Sequence, residues 1–130
     1  MKTTKKIILI IALIISGGCK AQKISLQQQM DNYSSKIVNA WVDEEENSYK
    51  LEFLANGTCK EYSGNELLTT YNYSIVSDNC KDFSSENTIY LRLVDLEDPS
   101  ITCFEILNIT DTSLSILIID RAKRLFFNKQ

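Results

Sequence analysis

The stretch YKLEFLANGTCKEY, residues 49–62, decides how the chain folds. Leu51 and Phe53 fall on one side of an extended backbone, Lys50 and Glu52 on the other, because successive strand side chains point to opposite faces. Asn56-Gly57 follows, a pair suited to the left-handed conformations that reverse a hairpin. Beyond that turn Cys59 stands where an inward apolar residue is expected. The segment reads as strand, turn, strand, with one face toward a core.

The same period of two extends along the chain. Tyr71, Tyr73 and Ile75 alternate with polar residues in one segment, and Ile89, Leu91 and Leu93 do so in the next. Turn signals separate such runs: Asn47-Ser48, Asn56-Gly57, Gly64-Asn65, a long polar loop from Ser77 to Asn87, Asp98-Pro99, Asp111, and Asp120 to Lys123. Eight short strands fit between them, near 38–42, 49–54, 57–63, 68–76, 88–94, 101–108, 113–119 and 124–128. Short connections make sequential strands antiparallel neighbours, and closing the meander removes its exposed edges. The expectation is an all-β, antiparallel up-and-down eight-stranded barrel, with an open β-sandwich of the same strands as the alternative. Ahead of it, Leu26, Met30, Tyr33 and Ile37 recur at helical spacing, and Ser25 with Gln28 forms a capping box. This short N-terminal helix is expected to cover one end of the domain, since its polar face lacks the basic residues of membrane-surface helices.

Lys2, Lys5 and Lys6 precede nine apolar residues, Ile7 to Ile15, and then Ser16, Gly17, Gly18 and Cys19. That is the layout of a secretory signal. Crossing a bilayer takes about 20 apolar residues, whereas this run rises only about 14 Å. Ser16-Gly17-Gly18-Cys19 resembles the lipobox of bacterial lipoproteins, with Ser16 where an aliphatic residue is usual. The resemblance implies that Cys19 is fatty-acylated and becomes the first mature residue, tying the chain to a membrane. Cleavage after Ala21, with free secretion, is the alternative. Lys20, in place of an aspartate, points to the outer membrane of a bacterial envelope. The chain thus divides into a signal peptide (1–18), a lipid-anchored tether (19–24) and a barrel domain (25–130).

An exported chain meets an oxidising compartment. With Cys19 acylated, Cys59, Cys80 and Cys103 allow three pairings. Cys80 lies in the polar loop SDNCKDFSSEN and would be an exposed thiol if unpaired, whereas Cys59 suits a buried site as a small hydrophobe. Cys80–Cys103 is therefore the preferred disulfide, which the chain-entropy model values at roughly 3 kcal/mol. No C-x-x-C motif supports a redox-catalytic role.

LEFLANGTCKEY, TTYNYSIV, IYLRLVD, CFEILNIT, TSLSILIID and RLFFNK together resemble the small lipocalin-like domains of Bacteroidetes lipoproteins, over roughly Ile37 to Lys129. Lipocalins mark their first strand with G-x-W, and Asn39-Ala40-Trp41 occupies that place with Asn for Gly. The family packs an arginine over this tryptophan. The resemblance thus implies a barrel-closing pair of Trp41 with Arg124, or with Arg121 as second choice, worth about 0.5–2 kcal/mol.

Composition excludes several functions. Without the three leader lysines the formal charge falls from −3 to −6, against the clustered cations that nucleic acid requires. Histidine is absent, which removes Ser-His-Asp and Cys-His machinery and the usual zinc sites. Asp43 to Glu46 and Asp95, Glu97 and Asp98 could offer oxygen ligands to calcium, but they lack the glycine-pivoted loop of an EF-hand and read as solvated turns. No metal, cofactor or enzymatic activity is expected. The aromatic set Trp41, Phe53, Tyr71, Tyr73, Phe104 and Phe126 either lines a small apolar pocket or simply fills the core. The expected function is a monomeric, lipid-anchored barrel that binds a small hydrophobic ligand. The rival is a solid-core envelope interaction or inhibitor protein acting through its acidic loops.

Overall fold

The computed structural model describes residues 25–130; the signal peptide, Cys19 and the tether lie outside the described residues. Helix α1 (Leu26–Lys36) is followed by β1 (Ala40–Asp43), β2 (Tyr49–Phe53), β3 (Thr58–Ser63), β4 (Glu66–Cys80), β5 (Phe83–Asp95), β6 (Ile101–Ile109), β7 (Ser113–Ile118), a 3-10 turn (Ile119–Arg121) and β8 (Lys123–Lys129). Each strand pairs with the next in antiparallel register, and β1 closes on β8 through Trp41↔Lys129, Val42↔Asn128 and Asp43↔Phe127. The fold is the closed up-and-down barrel, and the sandwich alternative is ruled out by that last seam.

The inward face follows from the expected alternation. Trp41, Leu51, Phe53, Cys59, Leu91, Ile106, Leu114, Ile116 and Phe127 form the packed interior. Each aliphatic or aromatic side chain buried there contributes about 1.5–3 kcal/mol. Helix α1 plugs one end. Its N-cap Ser25 accepts from the Gln28 amide at 3.2 Å, and the Gln28 side chain accepts from the Ser25 amide at 3.1 Å. Its apolar stripe presses Tyr33 and Ile37 fully into the core, with Leu26 and Met30 partly covered. The loops β2–β3 and β6–β7 lie at this closed end; the loops β1–β2, β3–β4, β5–β6 and β7–β8 surround the open one.

Trp41 is fully buried, and its indole N–H donates to the Ile37 carbonyl at 2.9 Å. That bond satisfies a carbonyl left orphaned at the helix C-terminus and fastens the plug to β1. The Trp41–Arg124 pair implied by the family resemblance is not formed. Arg124 is exposed and stands opposite Leu117, five residues along β8 from Lys129, the register partner of Trp41. At about 3.4 Å per residue that separates them by about 17 Å. Arg121, the second choice, is exposed in the 3-10 turn. Burial of the indole beneath the helix leaves no face for a guanidinium to cover.

The polar loop expected from Ser77 to Asn87 is instead strand. β4 and β5 continue as a hairpin with Ser77↔Ile89, Asn79↔Ser84 and Cys80↔Phe83. Its register shifts between Ser77 and Asn79, where Asp78 and Asn87 adopt positive φ and the Asn87 amide donates to Asp78 Oδ1 at 2.9 Å. Asn and Asp are the side-chain-bearing residues that tolerate this conformation best. Ser74 shares a rung with Arg92, and Arg92 with Cys103. Cys80 lies six residues past Ser74, about 20 Å away on a straight strand. The Cys80–Cys103 disulfide, with its Cα atoms 6.1 Å apart, therefore requires the tip to double back onto the outer face of β6. Under it Tyr90 and the disulfide form a second, smaller apolar cluster with Val76, Phe83, Ile101 and Ile119.

Candidate functional site

The lumen beneath α1 is packed, with a groove of about 590 Å³ beside the helix between Gln28, Gln29, Asn32, Tyr33 and Asn108; the open half of the lumen is not filled. A cavity of about 330 Å³ opens at the mouth between Asp43, Glu45, Glu46, Tyr49, Phe104, Ile118, Lys123 and Leu125. The register explains its walls. Phe104 pairs with Ile118, which pairs with Lys123, so these three inward positions share one level. Phe127 is the next inward residue below Leu125 on β8 and forms the floor, with its ring centroid 6.1 Å from that of Tyr49. Small-ligand sites run from about 300 to 1,000 Å³, so the mouth lies at the lower end of that range.

Behind Tyr49 lies a carboxylate. Glu61 pairs with Leu51 on one side and Thr69 on the other, which turns its side chain into the lumen. The Tyr49 hydroxyl donates to Glu61 Oε2 at 2.5 Å and the Tyr71 hydroxyl to Oε1 at 3.1 Å. Burial, reinforced by this carboxylate, pushes the Tyr49 phenol well above its ordinary range. The same two causes, in the same order, push Tyr71 up to about 12. Burial also raises the Cys59 thiol, with Glu61 and Glu52 adding to the effect, so the free cysteine stays a protonated core residue. All three shifts favour the uncharged form, as desolvation and a nearby negative charge must.

The aromatic residues expected to line a pocket divide. Phe104 lines the mouth. Tyr71 and Tyr73 face the lumen half-buried; the Tyr73 hydroxyl donates to the Leu54 carbonyl at 2.8 Å, and its ring meets Phe53 edge-on at 5.0 Å. Trp41 and Phe53 are core beneath the cavity. Phe126 is a correction: it is 47% exposed on the outer surface, because its neighbour Phe127 takes the inward position and consecutive strand residues cannot share a face. Tyr49, Ile118, Lys123 and Leu125 line the cavity, and Glu61 lies in the lumen bonded to Tyr49, without having stood out in the sequence. Their signal was available, since Tyr49 alternates with Leu51 and Glu61 with Cys59.

The acidic run is partly structural. Asp43 Oδ1 accepts from the amides of Glu45 at 2.8 Å and Glu46 at 3.1 Å, which shapes the β1–β2 turn. Three half-exposed leucines, Leu67, Leu68 and Leu96, stand near the β3–β4 and β5–β6 turns on the other side of the rim. Compared with protein-family models, curated proteins and solved structures, the chain finds no match, so the site's own chemistry carries the functional reading.

Proposed function

We propose that the protein is a lipid-anchored envelope carrier that holds a small hydrophobic ligand in the mouth of its barrel. The supporting observation is the division of the lumen: a packed lower half under α1, and above it a cavity walled by Tyr49, Phe104, Ile118 and Leu125 together with the charged Asp43, Glu45, Glu46 and Lys123. A barrel meant only as a rigid scaffold gains stability by filling that space, because each unfilled position forfeits packing contacts. The anchor rests on the basic leader, the nine-residue apolar run and Ser16-Gly17-Gly18-Cys19. The reading requires no enzymatic step.

Two measurements test it. Protein purified from native membranes is expected to carry a small molecule detectable by mass spectrometry and to bind an environment-sensitive hydrophobic dye that the extracted molecule displaces. Absence of both refutes the carrier. Cells fed a fatty-acid probe are expected to label the wild type and not Cys19→Ala; an unlabelled wild type whose mature chain begins at Gln22 refutes the anchor.

A further inference from the structure

We infer that the doubled-back tip of the β4–β5 hairpin is an external strap that sets the shape of the mouth, fastened by the Cys80–Cys103 bond; the inference rests on the carrier reading and names what positions its site. The ladder between β4 and β5 is interrupted between Ser77 and Asn79, where Asp78 and Asn87 take positive φ, so the tip leaves the barrel wall at a bend. Past that bend Lys81, Asp82 and the run from Ser84 to Asn87 are exposed. Two attachments hold the tip down: the disulfide, and the small outer cluster that joins Phe83 to Tyr90, Ile101 and Ile119.

Both attachments fall on the back of the mouth wall. Cys103 immediately precedes Phe104, and consecutive strand residues point to opposite faces, so the bond grips β6 from outside at the place where Phe104 faces in. Ile119 immediately follows Ile118, and Phe104 and Ile118 share one rung of the β6–β7 ladder. A crevice of about 310 Å³ lies between the tip, Lys81 to Phe83, and the 3-10 turn at Ile119 and Asp120; Phe104 and Ile118 line it as well as the mouth. These two side chains are only half-buried, unlike Leu91, Ile106 and Ile116, which the core fixes. Their placement follows the strand ends, and the tip holds the strand ends from outside. A wall ordered beforehand spares the ligand the entropic cost of ordering it. Releasing the strap returns that cost to binding.

The test uses the full chain and the neutral dye Nile red, whose emission reports an apolar site, with every variant measured under conditions where it is fully folded. Cys80→Ala combined with Cys103→Ala opens the strap and leaves Phe104 and Ile118 in place. It is expected to weaken dye binding by about tenfold, the effect of two side chains ordered only on binding, and to lower the methyl order parameter of Ile118 measured by NMR. Ile109→Ala, at a buried position of the closed end whose truncation also destabilises the barrel, is expected to leave both readouts at the wild-type value. Phe83→Ser keeps the bond and strips the tip's ring from the outer cluster; it carries the test where the double variant fails to fold, with an expected loss of about threefold. Wild-type affinity in the opened variants overturns the strap and leaves the carrier intact. An equal loss in Ile109→Ala does the same, since it traces the effect to stability alone. A wild type that binds no dye overturns the carrier, and there an Ile118 order parameter that still falls in the double variant upholds the strap, whereas an unchanged one overturns it as well.

Discussion

Replacing Cys80 and Cys103 together with alanine tests the doubled-back hairpin. The bond closes a loop of 23 residues, for which the chain-entropy relation gives about 3.4 kcal/mol at room temperature. Alanine keeps both sites apolar, so the loss is assigned mainly to the unfolded chain. The loop contains the whole of β5, a barrel strand bonded to both neighbours, so the cross-link constrains the global unfolding transition. With a urea dependence of about 1–3 kcal/mol per molar, the unfolding midpoint should fall by about 1–3 M. A second readout separates tip from barrel. Amide exchange from about Asp78 to Asn87 should accelerate strongly in the double variant under native conditions, while exchange in Leu91 and Ile116 slows or quickens only with global stability. A midpoint shift worth less than about 1 kcal/mol, with unchanged protection of the tip, would show that Tyr90, Phe83 and Ile101 hold the hairpin without the bond, and the entropic account of the cross-link would be refuted.

Other outcomes follow from the core and the phenols. Trp41→Phe should cost about 2–4 kcal/mol, through the lost bond to the Ile37 carbonyl and the volume left beneath α1, and should lower helical circular dichroism; Arg124→Ala should stay within about 0.5 kcal/mol of wild type by chemical denaturation. Ile116→Ala, at a fully buried lumen position, should cost about 2–5 kcal/mol by the same assay. Alkaline titration should be destabilising. Tyr71 is pushed up to about 12, so from pH about 10 the unfolded chain sheds a phenol proton that the folded chain keeps. Stability is intact below pH about 10 and is lost as pH climbs toward 12. Because Tyr71 is only half-buried, its share is about 1 kcal/mol after solvent screening, with Tyr49 adding in the same direction. Denaturant midpoints at pH about 8 and 11 check the sign; equal midpoints refute it. Cys59 should react with a thiol reagent only as fast as the barrel opens, so labelling faster than global unfolding refutes its assignment to the core.

What could be read from the chain was what obeys a period. YKLEF, YNYSI and IYLRL announce their inward faces because one side of each strand is apolar, and the capping box fixes the start of α1. The Cys80–Cys103 bond was legible through the cost of leaving Cys80 as an exposed thiol. The hairpin that carries Cys80 was not, because a ribbon lying on the outside of a barrel has water on much of its surface and no alternation to display. Glu61 was hidden for a different reason: charge in a strand ordinarily reads as outward, and only counting from Cys59 turns it inward. Phe126 matched the pocket by residue type where Phe127 was required by parity. Closure of β1 on β8 is a property of accumulated twist and stagger, which no local window contains.

The plug has a bearing on how cargo would be exchanged. The described chain begins at Ser25, beside the stoppered end, and Cys19 stands six residues before it. A stretched segment of that length reaches about 20 Å at most. A domain acylated at Cys19 would therefore ride with its stopper nearest the headgroups and its orifice free to turn outward. For a carrier so anchored, loading and release would then proceed by way of the aqueous side, or by hand-over to whatever approaches from there, rather than by drawing lipid directly up from the anchoring leaflet.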